Sequence, residues 1–401
     1  MQRPLKLATH LPAYGIETHV LAPDDPKWVH RDDEVVPPTQ AWVHRAHYVG
    51  PTGKRPADEL HGTDGLERLG AQIRLFGRRL LVPDENVSWN LTAIPAATRI
   101  VKQESIDAVI TTSPPNSIHL VGAAVKHWTG VRWVADLRDS ILAHPHRRTE
   151  SLAVRAKETT AAGIARLVAR KADAIVAAAG AIADEARELE PKGEVAVIPN
   201  GCDFDDFAGL EYRRGSRFTI THAGSFFGKR TPRPFLQALA DSNLDVVARF
   251  VGDFRPADEE WAERLGLGDR LQLYPYMSHR EALELQRASD ALLLLIPEAG
   301  GRGRGVLSGK VFEYLAAERP ILAVVPPDGA AADLIRRAGS GLVAAPDDVD
   351  GIRTALVSLH ERWQNGALNG APLPEDLRER LDRRSRVREY ADLLLNLPQS
   401  E

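Results

Sequence analysis

The run Gly305-Val306-Leu307-Ser308-Gly309-Lys310-Val311-Phe312-Glu313-Tyr314-Leu315-Ala316-Ala317-Glu318-Arg319-Pro320-Ile321-Leu322-Ala323-Val324-Val325 decides how this chain is read. Ser308 is an N-cap by residue type, and a helix from Gly309 to about Glu318 is stopped by Pro320. Ile321 to Val325 is then a short strand, apolar throughout, of the kind buried in a parallel sheet. The first turn of such a helix offers free N–H groups at Gly309, Lys310 and Val311. Gly309 has no side chain to hold a ligand away, and Lys310 adds a full charge, so the turn is suited to an anion. Glu313 lies three residues on, roughly the same face. A carboxylate there repels a phosphate and suits neutral hydroxyls, and a ribose diol beside a diphosphate has that pattern. A surface helix with a scattered Lys and Glu fits this one helix equally well.

Outward from this run, apolar strand-like stretches alternate with helical periods almost throughout, which predicts a parallel α/β chain. In the first half the strands are His19–Pro23, Asp107–Thr112, Val131–Asp136, Ala172–Ala177 and Val195–Ile198. A short amphipathic helix with Leu5, Leu7 and Leu11 precedes them, and a long helix spans 148–171. Residues 24–60 read as polar loop anchored by Trp28, Trp42 and Tyr48. Pro199-Asn200-Gly201-Cys202-Asp203 breaks the pattern with turn chemistry and is the domain boundary. A second series follows at Phe218–His222, Val246–Val251, Leu271–Tyr274, Ala291–Ile296 and Ile321–Val325. The last helix runs from about Leu377 to Leu397 and is rich in Arg. Two doubly wound domains imply a ligand cleft at the carboxyl ends of their strands.

With 401 residues the chain has room for two or three domains. Its net charge of −4 argues against nucleic acid as a main partner. Cys202 is the single cysteine, so an internal disulfide is excluded and a reducing, cytoplasmic location is expected.

Several groups of residues stand where chemistry is done. Ala223-Gly224-Ser225-Phe226-Phe227-Gly228-Lys229-Arg230 follows the first strand of the second half. Gly224 and Gly228 permit close ligand approach, and Lys229 and Arg230 suit phosphate, one as a point charge and one as a fork. A basic loop alone is usually a solvated turn; the strand before it and Lys310 elsewhere favour phosphate. Asp136-Leu137-Arg138-Asp139 ends a buried strand, where charges face a cleft or form a structural ion network. His119, in Thr112-Ser113-Pro114-Pro115-Asn116-Ser117-Ile118-His119, starts a helix, and that position favours its neutral form. Asp203-Phe204-Asp205 spells a D-x-D, but no further ligand set accompanies it, so hinge capping is the better reading and no metal is expected. Arg148, Arg155, Arg166 and Arg170 share a helix face, with Arg78 and Arg79 as possible neighbours. That stripe fits an anionic membrane footprint, though a solvated face is commoner.

The stretch from Gly309 to Leu322 resembles the C-terminal donor-binding domain of GT-B retaining glycosyltransferases of the family-4 type. The variant "GKxFEYLAxxRPIL" is common in members acting on cell-envelope and exopolysaccharide sugars. "IPNGxD" at the domain boundary, "TSPPxSxH" ending at His119 and "WVADLRD" at Trp133–Asp139 add to the resemblance. It implies two Rossmann-like domains facing a cleft: residues 1–203 on the acceptor side, 204–376 binding a nucleotide sugar, and 377–401 as a tail helix crossing back. It implies that Glu313, the second Glu of the family's Glu-x7-Glu, binds ribose. Gly305 stands where the family's first Glu touches the donor sugar. Gly224, Gly228, Lys229, Arg230, Ser308, Gly309 and Lys310 would hold the diphosphate. His119, Asp136 and Arg138 would place the sugar and acceptor, with no metal and no cofactor beyond the nucleotide-sugar donor. The implied reaction is retaining transfer to a hydroxyl of a glycan, lipid-linked or small-molecule acceptor. A nucleotide-sugar epimerase or hydrolase and a non-catalytic scaffold are the alternatives. Family members also begin with an apolar strand and a Gly-rich loop, whereas Met1–Ala8 matches a later segment. The resemblance therefore leads us to expect that the first strand is missing, through a misassigned start or a true shortening.

Overall fold

The structure is a computed structural model. It describes residues 2–24, 36, 38–51, 77, 81–142, 152–226, 228–301, 303–368 and 370–398, without the side chains of Gln2 and 152–154. The chain divides into two compact units. One holds most of the residues up to Pro199 together with Val387–Glu401; the other holds Asn200–Arg386.

In the first unit β1 (Thr18–Pro23) pairs in parallel with β2 (Ala41–Ala46). A separate parallel sheet has the order β3 (Ala108–Ser113), β4 (Arg132–Leu137), β5 (Ala174–Ala177), β6 (Glu194–Val197). Among the described residues β1 and β3 are therefore both edge strands. Five helices accompany these strands: α1 (Gln2–His10), α2 (Asn90–Gln103), α3 (Ile118–Thr129), α4 (Leu152–Lys171) and α5 (Gly180–Arg187). The four-stranded sheet is covered on both faces. Ala108 and Ile110 join a core with Leu7, Leu11, Val134, Val176, Val387 and Tyr390, while Val109 between them joins one with Ala93, Val101, Val121 and Val125. That alternation is the period of two of a strand. α3 approaches β4 so closely that a Cβ on Gly122 would lie 2.2 Å from Trp133 Nε1.

The second unit has six parallel strands: β7 (Phe218–Ala223), β8 (Val246–Val251), β9 (Leu271–Tyr274), β10 (Ala291–Leu295), β11 (Ile321–Val324) and β12 (Gly341–Ala344). Their order is β12-β11-β10-β7-β8-β9. The chain thus builds outward from β7 to β9, returns, and builds outward again from β10. β7 and β10 are neighbours at the point where the winding reverses, and a crevice opens outside their carboxyl ends. Every residue of β7, β10 and β11 is buried; β10 and β11 are unbroken apolar runs, while β7 buries Thr219, Thr221 and His222 on bonds to Asp290, Ser289 and the Leu293 carbonyl. The helices are α6 (Arg233–Ser242), α7 (Pro256–Arg264), α8 (His279–Arg287), α9 (Gly309–Ala316), α10 (Ala330–Ala338), α11 (Val349–Gln364) and α12 (Glu375–Leu381), with α13 (Arg383–Leu395) passing from this unit into the first.

Three expectations change. The 24–60 stretch contains β2, and Trp42 on it is 62% exposed, so it anchors nothing; Trp28 lies outside the described residues. Tyr48 does anchor, donating to Asn86 Oδ1 at 2.9 Å. The tail helix is two helices. Asp382 is extended between them, and Arg383 N–H donates to the Cys202 carbonyl in a one-residue bridge that ends α12. The two compact units divide at Pro199 and Val387, and the Cys202–Asp382 bridge lies within the second.

Candidate functional site

The anionic site read from the sequence lies in the second unit, at the carboxyl end of β7. Gly224, immediately after that strand, has φ +137° and donates its N–H to the Val251 carbonyl at 2.7 Å. A Cβ there would fall 1.7 Å from Lys310 Nζ, so only glycine fits. Lys310 donates to the Ala223 carbonyl. Burial of its ammonium, then the nearby Arg230, pull its pKa down to about 8 against the opposing pull of Glu313. The next residue on α9 that reaches this loop is Tyr314, whose hydroxyl accepts the Ala223 N–H at 2.9 Å. Both backbone groups of Ala223 are thereby tied to α9, which fixes the loop against the helix N-terminus.

Arg230 is 7% exposed and its pKa is lowered by burial, whereas Gly228 and Lys229 stand exposed in the turn. The structure therefore brings Gly224, Arg230 and Lys310 together and leaves Gly228 and Lys229 on the rim. At the start of α9, Ser308 has the extended backbone of an N-cap, yet its hydroxyl makes no capping bond. That hydroxyl is buried with no partner among the described residues. Gly309 is exposed, with open space where a Cβ would stand. Of the three amides expected to be open, Val311 N–H is taken by the Ser308 carbonyl at 3.0 Å; the unspent hydroxyl, the Gly309 and Lys310 amides, and the Arg230 and Lys310 cations form a preorganised cradle for an anion.

Glu313 sits three residues into the same helix. Its Oε1 accepts from Gln286 Nε2 at 2.6 Å, and its Oε2 lies 4.0 Å from His279 Nδ1. Gln286 is fully buried on α8, so it fixes the carboxylate plane and leaves Oε2 outward-facing for a second partner. Sequence reasoning missed Gln286, His279 and Tyr314. Tyr314, next to Glu313, carries a readable signal, a polar tip on an otherwise apolar helix face; the other two come from α8, with no local cue. α9 stops two residues short of the expected end because Arg319 turns inward: Nε donates to the Ser289 carbonyl at 2.8 Å and its guanidinium lies 3.6 Å from the centre of the Tyr212 ring.

In the first unit the predicted residues have different fates. Asp136 is fully buried at the end of β4. Its carboxylate accepts from Arg3 Nη2 at 2.9 Å and Nε at 3.2 Å, from Thr112 Oγ1 at 2.7 Å and from the Tyr390 hydroxyl at 2.5 Å. Arg3 also reaches the Ile198 carbonyl at 2.8 Å. Burial opposes the Arg3 charge, but Asp136 and Tyr390 outweigh it and raise its pKa. This is the structural ion network weighed against a catalytic role, and it corrects the placement of Asp136 at an open cleft. Arg138 donates to the Ser113 carbonyl at 3.0 Å and the Pro114 carbonyl at 2.7 Å, clamping the Ser-Pro-Pro turn.

His119 is fully buried, and burial pushes its pKa down to about 4 despite Asp136 nearby. Trp133 Nε1 donates to Thr111 Oγ1 at 2.7 Å, and Thr111 in turn meets His119 Nδ1 at 2.9 Å. His119 Nε2 has no partner among the described residues.

The D-x-D carboxylates are both taken by arginines: Asp203 by Arg383 at 3.0 Å and Asp205 by Arg384 at 2.5 Å. Among the described residues no group of three or more His, Cys, Asp or Glu is placed to hold a metal ion.

Two Rossmann-like units of parallel strands make this an α/β chain of the GT-B fold. Residues 2–201 match the family model of the glycosyl transferase 4-like domain. Solved structures agree in fold. Sucrose-phosphate synthase from Thermosynechococcus elongatus is 15% identical, with a TM-score of 0.65 over 98% of this chain and 92% of its own. A glycosyltransferase from Rickettsia africae is 12% identical, with a TM-score of 0.63 over 99% and 95%. HepE from Anabaena, in complex with UDP-glucose, is 17% identical, with a TM-score of 0.58 over 76% and 82%. No curated protein matches the sequence.

Proposed function

We propose that the chain is a retaining glycosyltransferase that moves a sugar from a nucleoside-diphosphate sugar to a hydroxyl of a glycan or lipid-linked acceptor. The observation that carries this is the cradle of Arg230, Lys310 and the α9 N-terminus beside Glu313, at the strand-order reversal of a Rossmann-like unit. The UDP-glucose bound by the similarly folded HepE supports it.

In this reading Lys310, Arg230 and the amides of Gly309 and Lys310 stabilise the negative charge that grows on the diphosphate as the bond from the anomeric carbon to its oxygen breaks. They supply the neutralisation that a metal would otherwise provide. Lys229, on the exposed rim, assists entry of the anion. Glu313 Oε2, 4.0 Å from His279, accepts from ribose hydroxyls while Gln286 holds Oε1. The acceptor oxygen bonds to the anomeric carbon on the face the diphosphate leaves, and the acceptor proton passes to the departing phosphate oxygen. Asp136 is spent on Arg3, Thr112 and Tyr390, so it is no covalent nucleophile, which favours retention assisted by the donor phosphate. His119, neutral and buried near Asp136, is suited to hydrogen bonding rather than to carrying charge.

Among the described residues no helix is long and apolar enough to cross a membrane. We propose a cytoplasmic protein and keep the Arg face of α4 as a candidate contact with anionic membrane, with a solvated helix face as the alternative. The test is a panel of nucleotide sugars scored for thermal stabilisation and then for turnover with and without acceptors. Stabilisation by one donor with transfer to a hydroxyl acceptor is the expected result. Release of nucleoside diphosphate that needs no acceptor would assign a hydrolase instead, and binding without turnover a scaffold.

A further inference from the structure

At the amino ends of β3 and β4 the first unit has a concavity of about 640 Å³, within the size range of small-ligand sites. The strands are parallel and six residues long, so it lies roughly 20 Å from Ser113 and the turn clamped by Arg138. Val101, Ile106 and Val131 give it an apolar floor, and Trp128 borders it with 56% of its surface exposed. Lys102, Ser105 and Asp107 stand on the loop between α2 and β3 and at the end of α2. Ser105 has φ +53°, a left-handed conformation that costs a non-glycine residue and is retained where the surrounding structure requires it.

The polar groups here are unspent. The Lys102 ammonium, Ser105 hydroxyl, Asp107 carboxylate and Trp128 indole N–H have no partner among the described residues. Arg132, by contrast, is engaged, its Nε on the Asp107 carbonyl at 3.0 Å and its Nη1 on the Leu397 carbonyl at 3.3 Å. A free carboxylate repels an anionic ligand and a free ammonium repels a cationic one. A neutral ligand dense in hydroxyls uses both, as acceptor and as donor. A pyranose also presents an apolar C–H face that gains by covering an exposed indole. We propose that this concavity is a binding site for a neutral saccharide, with Trp128 as its stacking platform and Lys102, Ser105 and Asp107 as its hydrogen-bonding groups. The proposal does not depend on the donor-site reading.

The experiment titrates the full chain, ¹⁵N-labelled at tryptophan indoles, with maltose, lactose and cellobiose. Trp128→Phe identifies the Trp128 indole resonance. That resonance is expected to move and saturate with at least one of the three sugars, and Asp107→Asn and Lys102→Gln are each expected to weaken that binding about fivefold or more. Affinity for UDP is expected to be unchanged in all three variants, which keeps the outcome separate from that of the donor site. No movement with any sugar, movement that survives both polar substitutions, or movement only with inorganic phosphate would each overturn the proposal. Trp128, Lys102 and Asp107 are exposed side chains, so the variants fold.

Discussion

Lys310 shows how one residue can hold both structural and ligand-directed roles. Its ammonium is placed against Gly224 and the Ala223 carbonyl, where burial and Arg230 bring its pKa to about 8. The charge is therefore present at neutral pH and lost as the pH rises through about 8. Affinity for a nucleoside diphosphate is expected to fall over that interval, and Lys310→Gln to bind more weakly at pH 7 with a flat profile from pH 7 to 9; calorimetry at several pH values checks both. A native-like slope in the variant would assign the titration to another group. Arg3 carries the contrasting case. Removing it leaves the Asp136 carboxylate buried and uncompensated, so Arg3→Ala should cost about 3–5 kcal/mol in denaturant unfolding. A cost below about 1 kcal/mol would show that Asp136 takes up a proton or finds water instead. The sequence made Lys310 and Glu313 legible because helical spacing alone puts them on one face. It could not show that Asp136 is spent, because its partners Arg3 and Tyr390 lie 133 and 254 positions away.

At the scale of elements, the strands buried on both faces were legible: β10 and β11 are apolar at every position, and β7 alternates Phe218 and Ile220 with Thr219 and Thr221. β2 and β12 were not. β2 alternates polar residues with a Trp turned to solvent, and β12 is a four-residue edge strand. α4 was legible as a helix, and its buried face of Ala161, Ile164, Ala165, Val168 and Ala169 follows the helical period. Arg155, Arg166 and Arg170 are exposed on it, while Arg148, Arg78 and Arg79 lie outside the described residues. If this face meets anionic lipid, the protein pellets with phosphatidylglycerol vesicles at low salt and is released by salt. Equal pelleting with neutral vesicles, or none, would leave the stripe as a solvated helix face.

For the whole molecule, the alternation of strands and helices was enough to read two α/β units, and the turn at Pro199–Gly201 enough to separate them. The destination of the tail was implied by family resemblance, not by the residues themselves. Val387, Tyr390, Ala391 and Leu397 complete a core shared with Leu7, Leu11, Val134 and Val176, and no local pattern names such distant partners. That shared core has a consequence for biosynthesis. A ribosome delivers the residues up to Pro199 first, yet their apolar face and the Arg3–Asp136 pair stay unsealed until the last segment emerges. The second unit, continuous from Asn200 to Arg386, has all its strands in hand earlier and can mature ahead of the first. A chain ending at Arg386 should therefore keep a protease-resistant C-terminal fragment while its N-terminal half is digested. Equal resistance of both halves would show that the first unit closes without its tail. The segment from Val387 onward thus governs when the residues before Pro199, made earlier, become safe from the cell's proteases.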